Sequence, residues 1–343
     1  MKGLPWQDHV FIIAEAGVNH NGDVRLAKRL IDAAAEAKAD VVKFQTWKDG
    51  EIIGRFSKKV DYLEKSTGKR QSMEDLAKQL CLPYEAFREL QRYASTRGIL
   101  FLSTPDGFTS LDFLADELRL PIIKIGSTEV THVQFLAAAA RKKRPIILST
   151  GLSTLADVKK AVSAIREAAE VPLALLHCTS EYPAPANEMN LRAIQTLAGK
   201  FHTPVGLSDH STGSEAAVAA VALGAVIIEK HFTLDKKMRG PDHKASVDPD
   251  ELAALVRSIR TAETMLGDGV KRRTPAEERN VGEIRRSVVA AHPIQAGKRL
   301  LRRDLVCKRP GTGVAPEFLD RLVGKRVIKP LEEDEPLRWE YLK

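Results

Sequence analysis

At 343 residues the chain is long for a single small module and short for three domains, and length alone points to about two. Hydrophobic residues make up 43% and charged residues 29%, which excludes a mainly disordered chain and leaves ample apolar side chain for a core. The 53 Lys and Arg against 45 Asp and Glu leave a net charge of +8, most of it local, since Arg285 to Lys343 holds 14 basic and 8 acidic residues.

Those basic residues stand in pairs, Arg302-Arg303 and Lys325-Arg326, with no long run and no interleaved aromatics. A solvated basic face, or a site for an anionic small molecule, therefore ranks above a nucleic-acid surface. The longest apolar run, Ala216 to Ile228, has 13 residues, short of the roughly 20 that span a bilayer, so no membrane segment is expected. Val10 to Ala14 is too short, and too soon followed by Glu15, for a signal peptide. Cys81, Cys178 and Cys307 are scattered and form neither a disulfide framework nor a zinc motif. The cytoplasm is the expected compartment.

In chain order the apolar runs are Val10–Ala14, Val41–Phe44, Ile99–Leu102, Ile122–Ile125, Ile146–Leu148, Leu173–Leu176, Val205–Leu207 and Ala225–Ile228. Runs that are apolar throughout, rather than alternating, predict parallel strands covered on both faces. Amphipathic patterns lie between them. One helix starts near Asp23 and presents Val24, Ala27, Leu30, Ile31 and Ala34. Another opens with a capping box, Thr154 to Asp157, and carries the stripe Leu155, Val158, Val162, Ile165 and Ala169. Eight strand-then-helix units over residues 1–266 have the length and rhythm of a (β/α)8 TIM barrel. The rival, a doubly wound open sheet, lacks a glycine fingerprint after its first strand. Thr46 to Leu80 exceeds a usual βα connection and reads as an insertion. Residues 267–286 read as a charged linker, and 287–343 as a small, mainly β domain of short strands and turns.

Polar residues recur at the C-terminal end of each run: Glu15; Lys43 and Gln45; Ser103 and Thr104; Lys124 and Ser127; Ser149 and Thr150; His177; Ser208, Asp209 and His210; Glu229 and His231. In a TIM barrel that rim is where active sites form. Lys43 and Lys124 lie within or at the end of apolar runs, where an unpaired ammonium is costly. With Thr104, Ser127 and Ser149 they make a site for a phosphate and a carboxylate, or alternatively supply a Schiff-base amine. His210 and His231 end adjacent strands and can share one divalent metal with open positions for water or substrate. No cysteine is expected among them, which leaves Mn2+ or Mg2+ as the favoured ion. A non-catalytic sugar- or polymer-binding protein is the alternative outside enzymes.

The segments Glu15 to Gly22, Lys43 to Gln45, Lys124 to Ser127, Leu148 to Gly151, His177 to Pro183, Gly206 to His210 and Glu229 to Phe232, taken in order, closely resemble the sialic acid synthase family. The C-terminal segment with Lys308 to Gly311 resembles its antifreeze-like (SAF, β-clip) domain. The resemblance implies condensation of phosphoenolpyruvate with an N-acylated hexose, typically N-acetylmannosamine, to a nine-carbon 2-keto acid and phosphate. It implies phosphoenolpyruvate contacts from Lys43, Thr104, Lys124, Ser127, Ser149, Ser180 and Ser208, a metal on His210 and His231, and sugar contacts from Gln45, Tyr182 and Asp242. It also implies a swapped homodimer in which Arg309 of one chain serves the other's barrel. Several relatives carry asparagine where this chain has Ser180, and some carry an aromatic near Arg285. Glu181 to Pro185 is similar to relatives that make legionaminic acid, so a legionaminate or pseudaminate synthase stays open. Glu15 is the expected proton-handling carboxylate, with Glu229 as the alternative.

Overall fold

The computed structural model describes residues 4–54, 56–59, 63–64, 67 and 72–343. Part of the expected insertion between Thr46 and Leu80 lies outside them. Two compact units are present, Met1–Gly267 and Asp268–Lys343.

The first unit holds eight parallel strands: β1 (Phe11–Gly17), β2 (Val41–Thr46), β3 (Leu100–Pro105), β4 (Ile123–Ile125), β5 (Ile146–Ser149), β6 (Leu173–Cys178), β7 (Val205–Asp209) and β8 (Ile227–His231). They are hydrogen-bonded in the order β3-β2-β1-β8-β7-β6-β5-β4, and β4 lies beside β3 without a ladder, so the ring is a TIM barrel with one loose seam. Ile12, Val42, Leu102, Ile147, Leu175, Leu207 and Ile228 are fully buried, as expected of strands that helices cover on the outside. Several strands run past the apolar residues that announce them. β1 continues through Glu15 to Gly17 and β8 through Glu229 to His231, so those polar side chains belong to the sheet itself.

The covering helices follow their sequence signals. Asp23 caps the helix Val24–Glu36, which buries Ala27, Leu30, Ile31 and Ala34. Thr154 and Asp157 form the expected capping box of the helix Leu155–Ala168. In that stripe Val158, Val162 and Ile165 are buried, but Leu155 is exposed at the first turn, and Ala161 takes the fourth core position.

In the second unit β9 (Ser287–Ala290) and β10 (Leu305–Lys308) pair antiparallel, and isolated bridges such as Ile294 with Leu331 and Val327 with Leu342 supply further β pairing. Val288, Ile294, Leu300, Leu322, Val327 and Leu337 form its core. The stretch read as a linker carries a helix, Pro275–Ile284, with Thr274 and Glu277 in a capping box and proline at its first turn. None of that helix is buried, so it lacks the apolar stripe by which a helix is recognised from sequence. No helix of the described residues is long and apolar enough to cross a membrane.

Candidate active site

The strand register builds the floor of a cavity of about 830 Å3 at the C-terminal ends of the barrel strands. Glu15 on β1 has Lys43 of β2 on one side and His231 of β8 on the other. Gln45 stands opposite Thr104, and Ser208 opposite Glu229. A register shift between Glu15 and Gly17 turns β1 at the rim. Gly17 has φ of +51°, and a Cβ there would lie 3.3 Å from Glu15 Oε1 and 3.5 Å from His231 Cε1. Glycine at this point both permits the left-handed backbone and leaves room for the side chains to converge.

Of the residues singled out above, Glu15, Lys43, Gln45, Thr104, Lys124, Ser127, Ser149, Ser180, Tyr182, Ser208, His210, Glu229, His231 and Asp242 all line this cavity. Arg309 belongs to the second unit, where it is exposed beside Pro310.

The two lysines meet the negative partners that their burial demands. Lys43 Nζ lies 2.5 Å from Glu15 Oε2 and 3.7 Å from Glu229 Oε2, and donates to Thr104 Oγ1 at 3.0 Å. Lys124 Nζ lies 3.3 Å from Glu229 Oε1 and donates to Ser149 Oγ at 2.9 Å. Both ammonium groups are about 2% exposed, so they are available to an anion only through the cavity.

The environment separates the two carboxyls. Burial, only partly offset by Lys43, pushes Glu15 up to about 7. Burial also pushes Glu229 upward, but Lys124 and Lys43 outweigh it and hold the group at about 2. Burial pulls the Lys124 ammonium below its ordinary value despite Glu229, whereas Glu15 and Glu229 overcome burial at Lys43 and raise it. Two carboxyls pushed apart in this way mark one as a fixed anion and the other as a group that gains and loses a proton near neutrality.

His210 follows β7 and His231 ends β8, their rings 5.4 Å apart. His210 Nδ1 donates to the Thr179 carbonyl at 2.8 Å, which in the neutral ring leaves the lone pair on Nε2. That nitrogen accepts the Tyr182 hydroxyl at 3.0 Å, and the two rings stack. Burial, reinforced by His210 and Lys43, holds His231 neutral and well below its ordinary value. Its Nδ1 is buried without a hydrogen bond, 3.8 Å from Asp242 Oδ2, and burial pushes Asp242 up to about 6. An orphaned buried nitrogen costs about 1–3 kcal/mol and fits a ligand that is neither protein nor proton. Burial would lower His210, but the contacts with Cys178 and the Thr179 carbonyl outweigh it and raise the group. The residues present therefore suit a divalent cation on the two imidazoles, which would compete with a proton at His210. Among the described residues no set of three or more His, Cys, Asp or Glu surrounds one point, so other positions on such an ion would fall to substrate or water.

Some expectations need correction. His177 stands at a strand end but does not line the cavity, and its Nε2 is 2.7 Å from the Met189 carbonyl. Its neighbour Cys178, opposite Ser208 in the register, lines the cavity instead, with Sγ 3.8 Å from His210 Nδ1. A cysteine therefore does lie beside the histidine pair. The pairing of β6 with β7 places it there, and the apolar run Leu173–Leu176 gives no sign of that register. Asp106, one residue past β3, also lines the cavity, and burial pushes it up to about 7. One wall is apolar: Val18, Trp47, Leu76 and Leu80 pack together, and Trp47 Nε1 donates to the Ala77 carbonyl. Leu76 and Leu80 of that wall come from the helix Met73–Leu80, in the insertion expected on length alone.

The model of the NeuB family matches residues 30–271, and that of the SAF domain residues 285–343. The chain belongs to the NeuB family. The N,N'-diacetyllegionaminic acid synthase of Campylobacter jejuni is 44% identical over 95% of this chain and 98% of its own length. Human N-acetylneuraminate-9-phosphate synthase is 39% identical, over 96% and 92% of the two chains. A crystal structure of an N-acetylneuraminic acid (sialic acid) synthetase from Leptospira borgpetersenii, in complex with citrate, matches with a TM-score of 0.70 at 38% identity, covering 80% of this chain and 90% of that one. This NeuB chain is thus an enzyme of the sialic and nonulosonic acid synthases, a TIM barrel followed by a SAF domain. A second groove of this NeuB barrel, about 840 Å3, lies between the helices Val133–Arg141 and Leu155–Ala168 and has none of the strand-end groups on its walls.

Proposed function

We propose that the enzyme condenses phosphoenolpyruvate with N-acetylmannosamine or a related N-acylated hexose, and with water, to give a sialic acid of the N-acetylneuraminate type and phosphate. The observation that carries this reading is the paired lysines, Lys43 and Lys124, in the same cavity as the imidazoles of His210 and His231. Lysines that bind an anion stand beside groups that receive a carbonyl. Lys43 and Lys124 would face the phosphate and carboxylate of phosphoenolpyruvate, with Thr104, Ser127, Ser149, Ser180 and Ser208 donating hydroxyls. Gln45, Tyr182 and Asp242 would orient the open-chain sugar. A divalent cation held by His210 and His231, Mn2+ or Mg2+, would supply Lewis acidity at the aldehyde oxygen.

The C3 carbon of phosphoenolpyruvate attacks the aldehyde carbon, and the aldehyde oxygen takes a proton to become a hydroxyl. Water adds at C2, where positive character has developed, and the resulting tetrahedral carbon loses phosphate by C–O cleavage to leave the keto group. Glu15, poised near neutrality and 3.2 Å from Gln45 Nε2, is the group suited to take the proton from water. Glu229, held anionic, keeps Lys124 and Lys43 in place.

A panel of N-acetylmannosamine, its 6-phosphate and 2,4-diacetamido-trideoxyhexoses, with products read by mass, tests the sugar. A product equal to sugar plus phosphoenolpyruvate plus water minus phosphate is expected with at least one member, and no such product with any would refute the condensation. The names of the C. jejuni and human relatives make the second and third classes necessary members. One observation favours a second reading: burial lowers the Lys124 ammonium, as a Schiff-base amine requires. Borohydride trapping of pyruvate on Lys124 would support that reading, and no covalent adduct is expected.

A further inference from the structure

Asp209, expected among the strand-end groups of the rim, and Lys230 take no part in the cavity described so far. The register sets them opposite each other across β7 and β8, and each directly precedes a histidine of the pair. Their side chains are 0% and 1% exposed and 2.8 Å apart, and neither lines the cavity. Asp209 Oδ1 also accepts from the Ser211 amide at 2.9 Å and the Ser211 hydroxyl at 2.6 Å. Lys230 Nζ donates to the Ser211 carbonyl at 2.5 Å. The backbone on both sides of His210 is therefore tied, through one ammonium, to the strand that carries His231.

A buried ion pair is seldom more stabilising than apolar side chains of the same volume, so stability is a poor account of why charge is placed here. Groups behind metal-binding imidazoles set their orientation and tune affinity. We infer that Asp209 and Lys230 are a positioning pair that fixes the spacing and orientation of His210 and His231 for a shared divalent cation. The inference rests on the two-histidine reading above.

The test titrates Mn2+ alone into the full chain, following the loss of the free-ion electron paramagnetic resonance signal, and compares wild type with Asp209→Leu/Lys230→Met and with Asp209→Asn. The double variant replaces the pair by apolar volume, and its melting temperature is read in parallel without metal. Expected is a folded double variant whose melting temperature is lowered by the Ser211 groups left unpaired, together with a Mn2+ Kd raised about 10- to 100-fold. Asp209→Asn, which keeps the contacts to Ser211 and weakens the charge pairing, is expected to fall between. A double variant that binds Mn2+ within twofold of wild type overturns the inference. If the double variant does not fold, an unchanged Kd in Asp209→Asn overturns it instead. Failure of wild type to bind Mn2+ at all would overturn the two-histidine reading itself, and the inference with it.

Discussion

Glu15 and Glu229 are the same residue type on neighbouring strands, both buried, yet Glu15 sits at about 7 and Glu229 at about 2. The difference comes from partners: Glu229 faces both lysines, whereas Glu15 faces Lys43 and a glutamine amide. A proton acceptor must be ionised, so the rate should rise with pH through about 7 as Glu15 loses its proton. Glu15→Gln should lower kcat/KM by about 10²–10⁴-fold and abolish that ascending limb, as read in the pH profile of kcat/KM, which reports groups of the free enzyme. A limb unchanged in the variant would move the proton to another group. The sequence places both carboxyls at the rim but leaves open which is the base, because that depends on distances to Lys43 and Lys124 that no spacing rule provides. Cys178 and His177 show the same limit at closer range. Adjacent polar residues at a strand end point to opposite faces, and an apolar run without alternation gives no sign of which faces inward.

At the scale of elements, the eight strands are legible because each is a short run apolar on both faces, and the capping signals of Asp23 and Thr154 place their helices. The exposed helix Pro275–Ile284 and the apolar wall of Trp47, Leu76 and Leu80 are less so, since one lacks a stripe and the other joins a residue just past β2 to two on a separate helix. Close packing between strands is likewise invisible until the barrel closes. On β7, a Cβ at Gly206 would run into the Ile227 carbonyl oxygen and lie 2.7 Å from Leu176 Cδ2. Gly206→Ala should therefore destabilise the barrel by roughly 1–3 kcal/mol through overpacking, measured as a lower urea midpoint. An unchanged midpoint would mean that β7 and β8 part without cost.

At the scale of the whole molecule, the first unit carries the cavity and the second carries Arg309, which is exposed. If Arg309 serves the barrel of a second copy, as the family resemblance implies, Arg309→Ala and Lys124→Ala chains are each inactive. Refolded together they should recover about a quarter of wild-type activity, since half of randomly mixed twofold dimers are heterodimers with one intact site. No recovery, with dimers verified by light scattering, would contradict action across the dimer. The claim on which everything else depends is that one cavity joins an anion site on Lys43 and Lys124 to a cation site on His210 and His231. Phosphate release from phosphoenolpyruvate, measured with and without an N-acylated hexose and with and without a chelator, tests it most directly. The account predicts release only when sugar and divalent cation are both present, and its loss in the His210→Ala/His231→Ala variant. Phosphate released without sugar, or undiminished by chelation, would contradict it.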